Sequence, residues 1–300
     1  MYEILLRPPQ RLTETPAPSF WLNPFLMHSV AEMSGTETLQ LLCFKGETLM
    51  AAMPLYERTA MRIKRLIAPV GAYYQGISFF NPKSGSSNRQ LLDELHICEQ
   101  IARFLKGRYL KISFNLNPDN YDVRGFTWSG LKAKPLYTFI HRLPKPVSPL
   151  RDERSKIKRA QAENYSFTEE FYPEQFIEMQ KNLLQRKRYD TGITYARLLA
   201  WIKTLHQDGL LMQFNLKRGD RIISANIVLG DDGDTAYTVL RATCSEGLKT
   251  GASSLHSVLL IQALKDRYHQ LDFCGANLPE VARFKAAFGF ELKLFFQIHS

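Results

Sequence analysis

The segment LDFCGANLPEVARFKAAFGFELKLFFQI, residues 271–298, combines an apolar strand, a Gly-Ala-Asn turn, a helical stretch and a final strand. In the helical stretch, Val281, Phe284 and Phe288 recur at three- and four-residue spacing and therefore share one face. Lys285 lies beside that face, so its ammonium either reaches a cleft or extends along apolar surface into water. We expect the cleft position, with Lys285 contributing little to core packing.

Two earlier segments contain the same hairpin pattern. Residues 41–55 and 212–229 each consist of two apolar runs joined by a basic-Gly-acidic turn, centred on Gly46 and Gly219. Glycine permits the tight backbone turn that short loops require, so both segments predict β-hairpins.

Each half of the chain also contains a helix followed by a short strand. LHICEQIARFLKGRYLKISF from Leu95 matches LHSVLLIQALKDRYHQLDF from Leu255, with helical apolar spacing that gives way to alternation. The halves end alike, in LYTFIHRL (136–143) and LFFQIHS (294–300). Three similarities in the same order predict that one domain has been duplicated.

The segment LPKPVSPL, residues 143–150, has three prolines in eight residues and cannot continue a helix or a central strand. The sequence therefore predicts an N-terminal domain at 1–143, a linker at 144–150 and a C-terminal domain at 151–300. Because hairpins and helix-connected strands coexist in each half, the expected class is α+β with mixed sheets.

Composition limits the function classes. The 300 residues are 45% hydrophobic, and the formal net charge is +10. No stretch approaches the roughly 18 apolar residues that a membrane span needs, so we expect a cytoplasmic protein without a span. The cysteines are far apart and lack metal-ligand spacing, which predicts no metal site. The basic charge favours nucleic acid, phosphate-bearing cofactors, nucleotide-linked substrates or anionic membrane surfaces.

The terminal segment resembles the FemABX group of acyltransferases, which have two tandem GNAT-like domains. The residues that carry the resemblance are Asp272, Phe273, Gly275, Phe284, Lys285, Phe288 and Gly289. MPLY at 53–56 and GAYYQGISF at 71–79 extend it over nearly the whole chain. The resemblance implies transfer of an acyl or aminoacyl group, from acyl-coenzyme A or aminoacyl-tRNA, to an amine of a small or nucleotide-linked acceptor such as a peptidoglycan precursor.

The resemblance also implies a donor site at the turn that precedes a central helix. In EGLKTGASSLHSVLL, residues 246–260, glycines allow close backbone approach, serines can cap the helix, and its free N–H groups favour an anion. Leu248 replaces the basic or amide residue of the usual GNAT signature, and an ordinary capped helix is the alternative. The predicted donor-binding residues are Gly247, Lys249, Gly251, Ala252, Ser253 and Ser254.

The predicted catalytic residues are Lys285, Tyr237 and Arg241. Lys285 would neutralise a phosphate or the charge that develops on a carbonyl oxygen, and Phe284 would contact substrate. Simple alternation in TAYTVLRAT places Tyr237 and Arg241 on one strand face beside the donor turn, although strand residues more often serve packing. Asp272 is expected to cap the turn that follows it rather than to act as a base.

The first half offers an acceptor site. Tyr73, Tyr74 and Gln75 lie between two glycines, and aromatic side chains with polar tips suit a sugar or peptide acceptor. The alternative is a loop whose tyrosines serve packing. The chain contains no P-loop, HExxH, GxSxG or strand-linked GxGxxG motif, which argues against those chemistries. Two hypotheses remain: an N-acyltransferase, or a non-catalytic protein that uses the same fold to bind an anion or RNA.

Overall fold

The computed structural model describes residues 2–14, 16–80, 87–230 and 234–300. The chain forms two compact units. Unit 1 comprises Met1–Leu136 with Leu294–Ser300, and unit 2 comprises Tyr137–Lys293. The last strand of each unit thus comes from the other half of the sequence. This division differs from the boundaries 1–143 and 151–300 because both of these strands cross the unit limits.

Unit 1 contains helices and a mixed sheet. Its strands are β1 (Tyr2–Arg7), β2 (Glu37–Lys45), β3 (Thr48–Ala60), β4 (Ile63–Leu66), β5 (Ser78–Phe79) and β6 (Lys111–Asn115), with the end of β13 (Glu291–His299). Its helices are α1 (Pro24–Ser34), α2 (Ser87–Arg108) and α3 (Arg124–Trp128), after a 3-10 turn at Phe20–Leu22. Neighbouring strands run β1-β2-β3-β4-β6-β13, and β5 pairs with β3. Only the β4–β6 pairing is parallel among those described.

The strands of unit 2 also run in mixed directions. Its strands are β8 (Ser166–Glu169), β9 (Leu211–Arg218), β10 (Arg221–Leu229), β11 (Thr235–Thr243) and β12 (Gln270–Asp272), with the end of β7 (Lys132–Arg142). Its helices are α4 (Arg151–Gln161), α5 (Pro173–Lys187), α6 (Tyr195–Gln207), α7 (Ser245–Thr250), α8 (Ala252–Leu264) and α9 (Pro279–Ala286). The strand order is β8-β9-β10-β11-β12-β7, with β11–β12 parallel and the other pairs antiparallel. The expected α+β class with mixed sheets is confirmed.

Both predicted hairpins are present. Lys45 pairs with Thr48 across one two-residue loop, and Arg218 pairs with Arg221 across the other. The glycine of each loop has a positive φ, 63° at Gly46 and 56° at Gly219. Other residues adopt this left-handed conformation at a cost, so the turn chemistry alone located these loops correctly.

Each unit has its own apolar core. In unit 1, α2 packs Ile101 and Leu105 against sheet residues such as Met53 and Phe114. In unit 2, α8 packs Leu260 on the sheet face that carries Phe214. Because α8 lies directly on β9, β10 and β11, it fixes the sheet face on which the candidate site is built.

Candidate functional site

The strands β11 and β12 of unit 2 pair only over a short length. Thr235–Tyr237 lie opposite Gln270–Asp272, and beyond this point the two chains separate. β11 continues along β10, whereas the backbone N–H of Phe273 donates to the Phe139 carbonyl at 2.9 Å. We call the opening between residues 238–243 and residues 273–277 the wedge. It brings the end of β11, the start of α8 and the helix α9 together.

Lys285 closes one side of the wedge. It is only 7% exposed, and its ammonium donates to the carbonyls of Phe273, Cys274 and Gly275 at 2.6, 2.8 and 2.5 Å. Burial lowers the pKa of Lys285 to about 8. The expectation of little core packing is wrong, because all three N–H groups bind the loop. The role that the geometry gives Lys285 is to position residues 273–275.

The loop that Lys285 binds has an unusual backbone. Cys274 and Gly275 have φ values of 45° and 74°, two consecutive residues in the left-handed region. Asp272 stabilises the turn: its carboxylate accepts from the Cys274 N–H at 2.8 Å and from the Thr138 hydroxyl at 2.6 Å. The prediction that Asp272 caps the following turn is confirmed.

Arg241 lies at the centre of the wedge. Its guanidinium donates to the Ser253 carbonyl and lies 5.1 Å from the centroid of the Phe284 ring. Burial lowers its pKa to about 10, so the group carries its charge at neutral pH. Three predicted site residues, one each from β11, α8 and α9, therefore meet here.

Simple alternation predicted that Tyr237 and Arg241 share one face of the strand, but in the structure they do not. The β10–β11 register shifts: Leu240 lies opposite Ile227, but Thr238 lies opposite Val228. Val239 is thus an extra residue, and a bulge of this kind reverses the alternation of the strand. Arg241 faces α8, and Tyr237 faces the opposite side of the sheet.

The predicted donor turn contains a helix instead of an open loop. α7 occupies Ser245–Thr250, and Gly251, with φ of 87°, connects it to α8. A Cβ on Gly247 would lie 2.6 Å from the Ile223 side chain, and one on Gly251 would lie 2.5 Å from the Lys156 carbonyl oxygen. Both glycines therefore permit close approach of this chain's own residues.

The first turn of α8 is already in contact with a carboxylate. Glu153 of α4, 5% exposed, accepts from the Ser254 hydroxyl at 2.5 Å and from the Lys156 ammonium at 2.5 Å. Ala252 is fully buried, and Lys249 is exposed. A second anion at this helix end would meet the charge of Glu153.

A set of polar residues lies where α8 packs on the sheet. We call this set the internal polar cluster. Its members are Asn226, Thr238, Arg241 and His256. Within the part of the chain that the structure describes, no hydrogen-bond partner reaches either side-chain amide atom of Asn226, Oγ1 of Thr238, Nε of Arg241 or Nε2 of His256. Sequence reasoning missed three of these four. The available signal was the pair of polar residues, Ser224 and Asn226, inside the apolar strand IISANIVL.

The other ring nitrogen of His256, Nδ1, is in hydrogen-bond contact with the sheet. Its Nδ1 lies 2.9 Å from the Ser224 hydroxyl, which in turn lies 2.8 Å from the Thr243 hydroxyl. The ring is fully buried, and burial, with a smaller contribution from Arg241, lowers the pKa of His256 well below its ordinary value. The imidazole is therefore neutral at pH 7, and its two nitrogens have different hydrogen-bonding roles.

The acceptor residues predicted in unit 1 have different surroundings. Tyr74 is 1% exposed, with its ring centroid 5.8 Å from that of Trp21 and 5.3 Å from that of Phe295. Gln75 is fully buried and donates to the Ile67 carbonyl at 3.0 Å. Tyr73 is partly exposed. Of these three, Tyr73 alone has a side chain that solvent can reach to a substantial degree.

Neither a metal cluster nor a membrane-spanning helix is found among the described residues. No group of three or more His, Cys, Asp or Glu side chains there is placed to hold a metal ion. In the same ranges, every helix is too short or too polar to traverse a bilayer.

The fold is shared with solved structures at low sequence identity. FemX superposes with a TM-score of 0.64 and 13% identity, over 91% of this chain and 94% of that chain. L-PGS from Bacillus licheniformis superposes with a TM-score of 0.55 and 14% identity, over 96% of this chain and 93% of that chain. A tandem GNAT protein from the clavulanic acid biosynthesis pathway superposes with a TM-score of 0.53 and 11% identity, over 100% of this chain and 98% of that chain.

This confirms the FemABX-like resemblance at the level of fold. No protein-family model matches the sequence, and no curated protein matches it either. The structural similarity extends over nearly the full length of all three neighbours.

Proposed function

We propose that this chain is an N-acyltransferase that moves an acyl or aminoacyl group from an activated donor to an amine. The observation that carries the proposal is the position of Arg241, a charged and largely desolvated group in the wedge, beside the first turn of α8. The wedge lies in a fold shared with FemX and with a tandem GNAT protein.

The chemistry that we propose needs few groups. The amine nitrogen forms a bond to the donor's carbonyl carbon, the bond from that carbon to the ester oxygen or thioester sulfur breaks, and the proton lost by the amine ends on the leaving oxygen or sulfur. The donor is already activated, so positioning and stabilisation of the carbonyl oxygen contribute most of the acceleration. Arg241 supplies the positive charge for that oxygen, and Phe284 restricts its guanidinium. Lys285 holds the loop on the other side of the wedge.

For the donor, Glu153 favours aminoacyl-tRNA over acyl-coenzyme A. Its carboxylate contacts Ser254 in the first turn of α8, where the pyrophosphate of a coenzyme A would need to bind. An RNA-linked donor can instead be held through its own phosphates along the surface, in agreement with the net charge of +10. Of the predicted donor residues, Lys249 and Ser253 are accessible and would then border the donor, whereas Gly247, Gly251 and Ala252 pack within the chain.

The acceptor is proposed to meet unit 1. Both units have the same sequence of strand pairings, three antiparallel, one parallel and one antiparallel, which supports a duplication of one GNAT-like domain. In this proposal unit 2 binds the donor and catalyses transfer, while unit 1 shapes the acceptor site, with Tyr73 as its aromatic contact. The acceptor to test first is the nucleotide-linked envelope precursor that the FemABX resemblance implies.

A second candidate is a non-catalytic RNA-binding protein. It is favoured by the outer face of α4, on which Arg151, Arg154 and Lys158 are exposed. Among the ion pairs of the described ranges, none includes these three cations. Their spacing places them along one side of the helix, as a surface that tracks phosphates requires.

One experiment separates the candidates. The purified chain is incubated with tRNA charged with carbon-14 amino acids, or with carbon-14 acetyl-coenzyme A, and with a nucleotide-linked peptide that bears a free amine. Transfer of label from charged tRNA to the peptide supports the proposed function. Binding of tRNA without transfer from either donor to any amine supports the second candidate. Transfer from acetyl-coenzyme A alone rejects the proposed donor.

A further inference from the structure

The bulge at Val239 brings Thr238 and Arg241 to the sheet face that carries Asn226, beneath α8. Because Arg241 lies opposite Asn226 in the β10–β11 register, both side chains project from the same face of the sheet. Thr238 lies opposite Val228, two residues from Asn226, and so faces the same side. His256 reaches this face from α8, since its ring contacts Ser224. The internal polar cluster is therefore contiguous.

Five side-chain atoms of the cluster have no hydrogen-bond partner within the described ranges, although three of its four residues are shielded from water. Asn226 is 1% exposed, Thr238 is 7% exposed and His256 is fully buried. Buried polar groups in folded proteins are almost always hydrogen-bonded, and a group left unpaired destabilises the fold. Five unpaired atoms on four neighbouring residues in the part of the chain described indicate that another molecule completes them.

The atoms define what that molecule must offer. Asn226 Nδ2 and Arg241 Nε donate, Asn226 Oδ1 accepts, and the Thr238 hydroxyl can do both. The guanidinium of Arg241 donates to the neutral Ser253 carbonyl, so its charge also favours an oxygen acceptor. A hydroxyl or carboxamide supplies a donor and an acceptor together. A purely apolar group would leave all five atoms unpaired.

We propose that the internal polar cluster is a subsite for a polar side chain on the transferred acyl group. It lies next to Arg241, which faces the wedge and is partly exposed, so an acyl group that enters the wedge with its carbonyl at Arg241 extends toward Asn226 and Thr238. This inference rests on the proposed acyl transfer and names its substrate class: aminoacyl groups with a hydroxyl or amide side chain.

A stability measurement tests whether the cluster is a binding site or a bonded part of the fold. Asn226→Leu and Thr238→Val replace unpaired groups by apolar ones of similar size, so we expect the melting temperature to stay the same or to rise. The matched controls are Asn215→Leu and Thr138→Val. Asn215 donates to the Glu170 carbonyl and accepts from Gln213, both at 2.8 Å, and Thr138 donates to Asp272 at 2.6 Å. Both controls are buried and should lower the melting temperature.

A binding measurement tests the substrate class. The probes are 3′-amino-3′-deoxyadenosine acylated with L-threonine or with L-valine, stable mimics of a charged RNA end that differ by a hydroxyl in place of a methyl group. Sites built to hydrogen-bond a substrate reject analogues that lack the group far more strongly than apolar pockets reject a methylene. We expect the threonyl probe to bind at least tenfold more tightly, and Asn226→Leu and Thr238→Val to abolish that preference.

The outcomes separate the subsite from the proposed function. Equal binding of both probes to the unaltered chain overturns the polar subsite and leaves acyl transfer standing. Failure of both probes to bind overturns the RNA-linked donor and the subsite with it. A fall in melting temperature for Asn226→Leu as large as that for Asn215→Leu shows that Asn226 is bonded within the fold through water, which also overturns the subsite.

Discussion

The Glu153 carboxylate accepts a hydrogen bond from the Ser254 hydroxyl at 2.5 Å, in the first turn of α8. These residues are 101 positions apart in the sequence. Helix N-termini favour negative charge, so the chain itself provides the anion at the end where coenzyme A would place its pyrophosphate. The contact is the reason for which we propose an RNA-linked donor.

Neutralising Glu153 should improve coenzyme A binding. Glu153→Gln keeps an acceptor for Ser254 but removes the repulsion, so we expect coenzyme A to bind about two- to fivefold more tightly, equivalent to roughly 0.3–1 kcal/mol. Titration calorimetry measures this, with Glu178→Gln, an exposed position on α5, as the control. Unchanged affinity in Glu153→Gln would contradict the role given to this carboxylate.

Removing the Lys285 ammonium should destabilise the protein. Lys285→Met leaves up to three buried carbonyls unpaired, and one unpaired buried group costs about 1–3 kcal/mol. Urea denaturation measures the loss, with Lys265→Met, an exposed lysine after α8, as the control. If Lys285→Met unfolds at the same urea concentration as the control, the positioning role of Lys285 is wrong.

The contribution of Lys285 to the free energy of unfolding should change with pH in the alkaline range. Burial lowers its pKa from 10.5 to about 8 in the folded state, so between these values the unfolded chain binds more protons than the folded one. Stability from this group therefore rises as pH increases from about 8 toward 10.5. The difference in unfolding free energy between the unaltered chain and Lys285→Met isolates the effect. A difference that stays constant or falls over this interval would contradict the lowered pKa.

Glu57 in unit 1 should confer stability that is lost in acid. Its burial raises the pKa, but hydrogen bonds from Tyr109, Lys64 and Arg108 outweigh burial and hold the pKa below 4.5. The carboxylate then stabilises the fold at neutral pH, and the contribution disappears as pH falls through the folded-state pKa. The free-energy difference between the unaltered chain and Glu57→Gln should shrink below pH 4.5. A constant difference down to pH 3 would show that Glu57 titrates normally.

The hairpins and fold class could be predicted because their signals are local. A glycine between a basic and an acidic residue determines each turn, and apolar spacing distinguishes the helices from the strands. The cap formed by Asp272 is local too, since it bonds to a backbone N–H two residues away. The similarity to FemX extended this reading to the whole fold.

The chemistry of the wedge depended on contacts that the sequence does not display. Because of the bulge at Val239, the side chains of Arg241 and Tyr237 project from opposite faces of the sheet. No residue type by itself indicates a bulge. Glu153 contacts α8 from α4, and the run of charges in the sequence of α4 predicts only a solvent-exposed helix. Lys285 has an apolar neighbourhood in the sequence, but its partners are backbone carbonyls, which every residue possesses.

The role that we propose for Arg241 in acyl transfer can be measured as a single-turnover rate. Transfer of a labelled aminoacyl group from tRNA to a free amine is timed for the unaltered chain, Arg241→Gln and Arg241→Lys, after equal melting temperatures have verified folding. We expect Arg241→Gln to be at least about tenfold slower, equivalent to roughly 1.4 kcal/mol, with partial recovery in Arg241→Lys. Equal single-turnover rates in the unaltered chain and Arg241→Gln would contradict it.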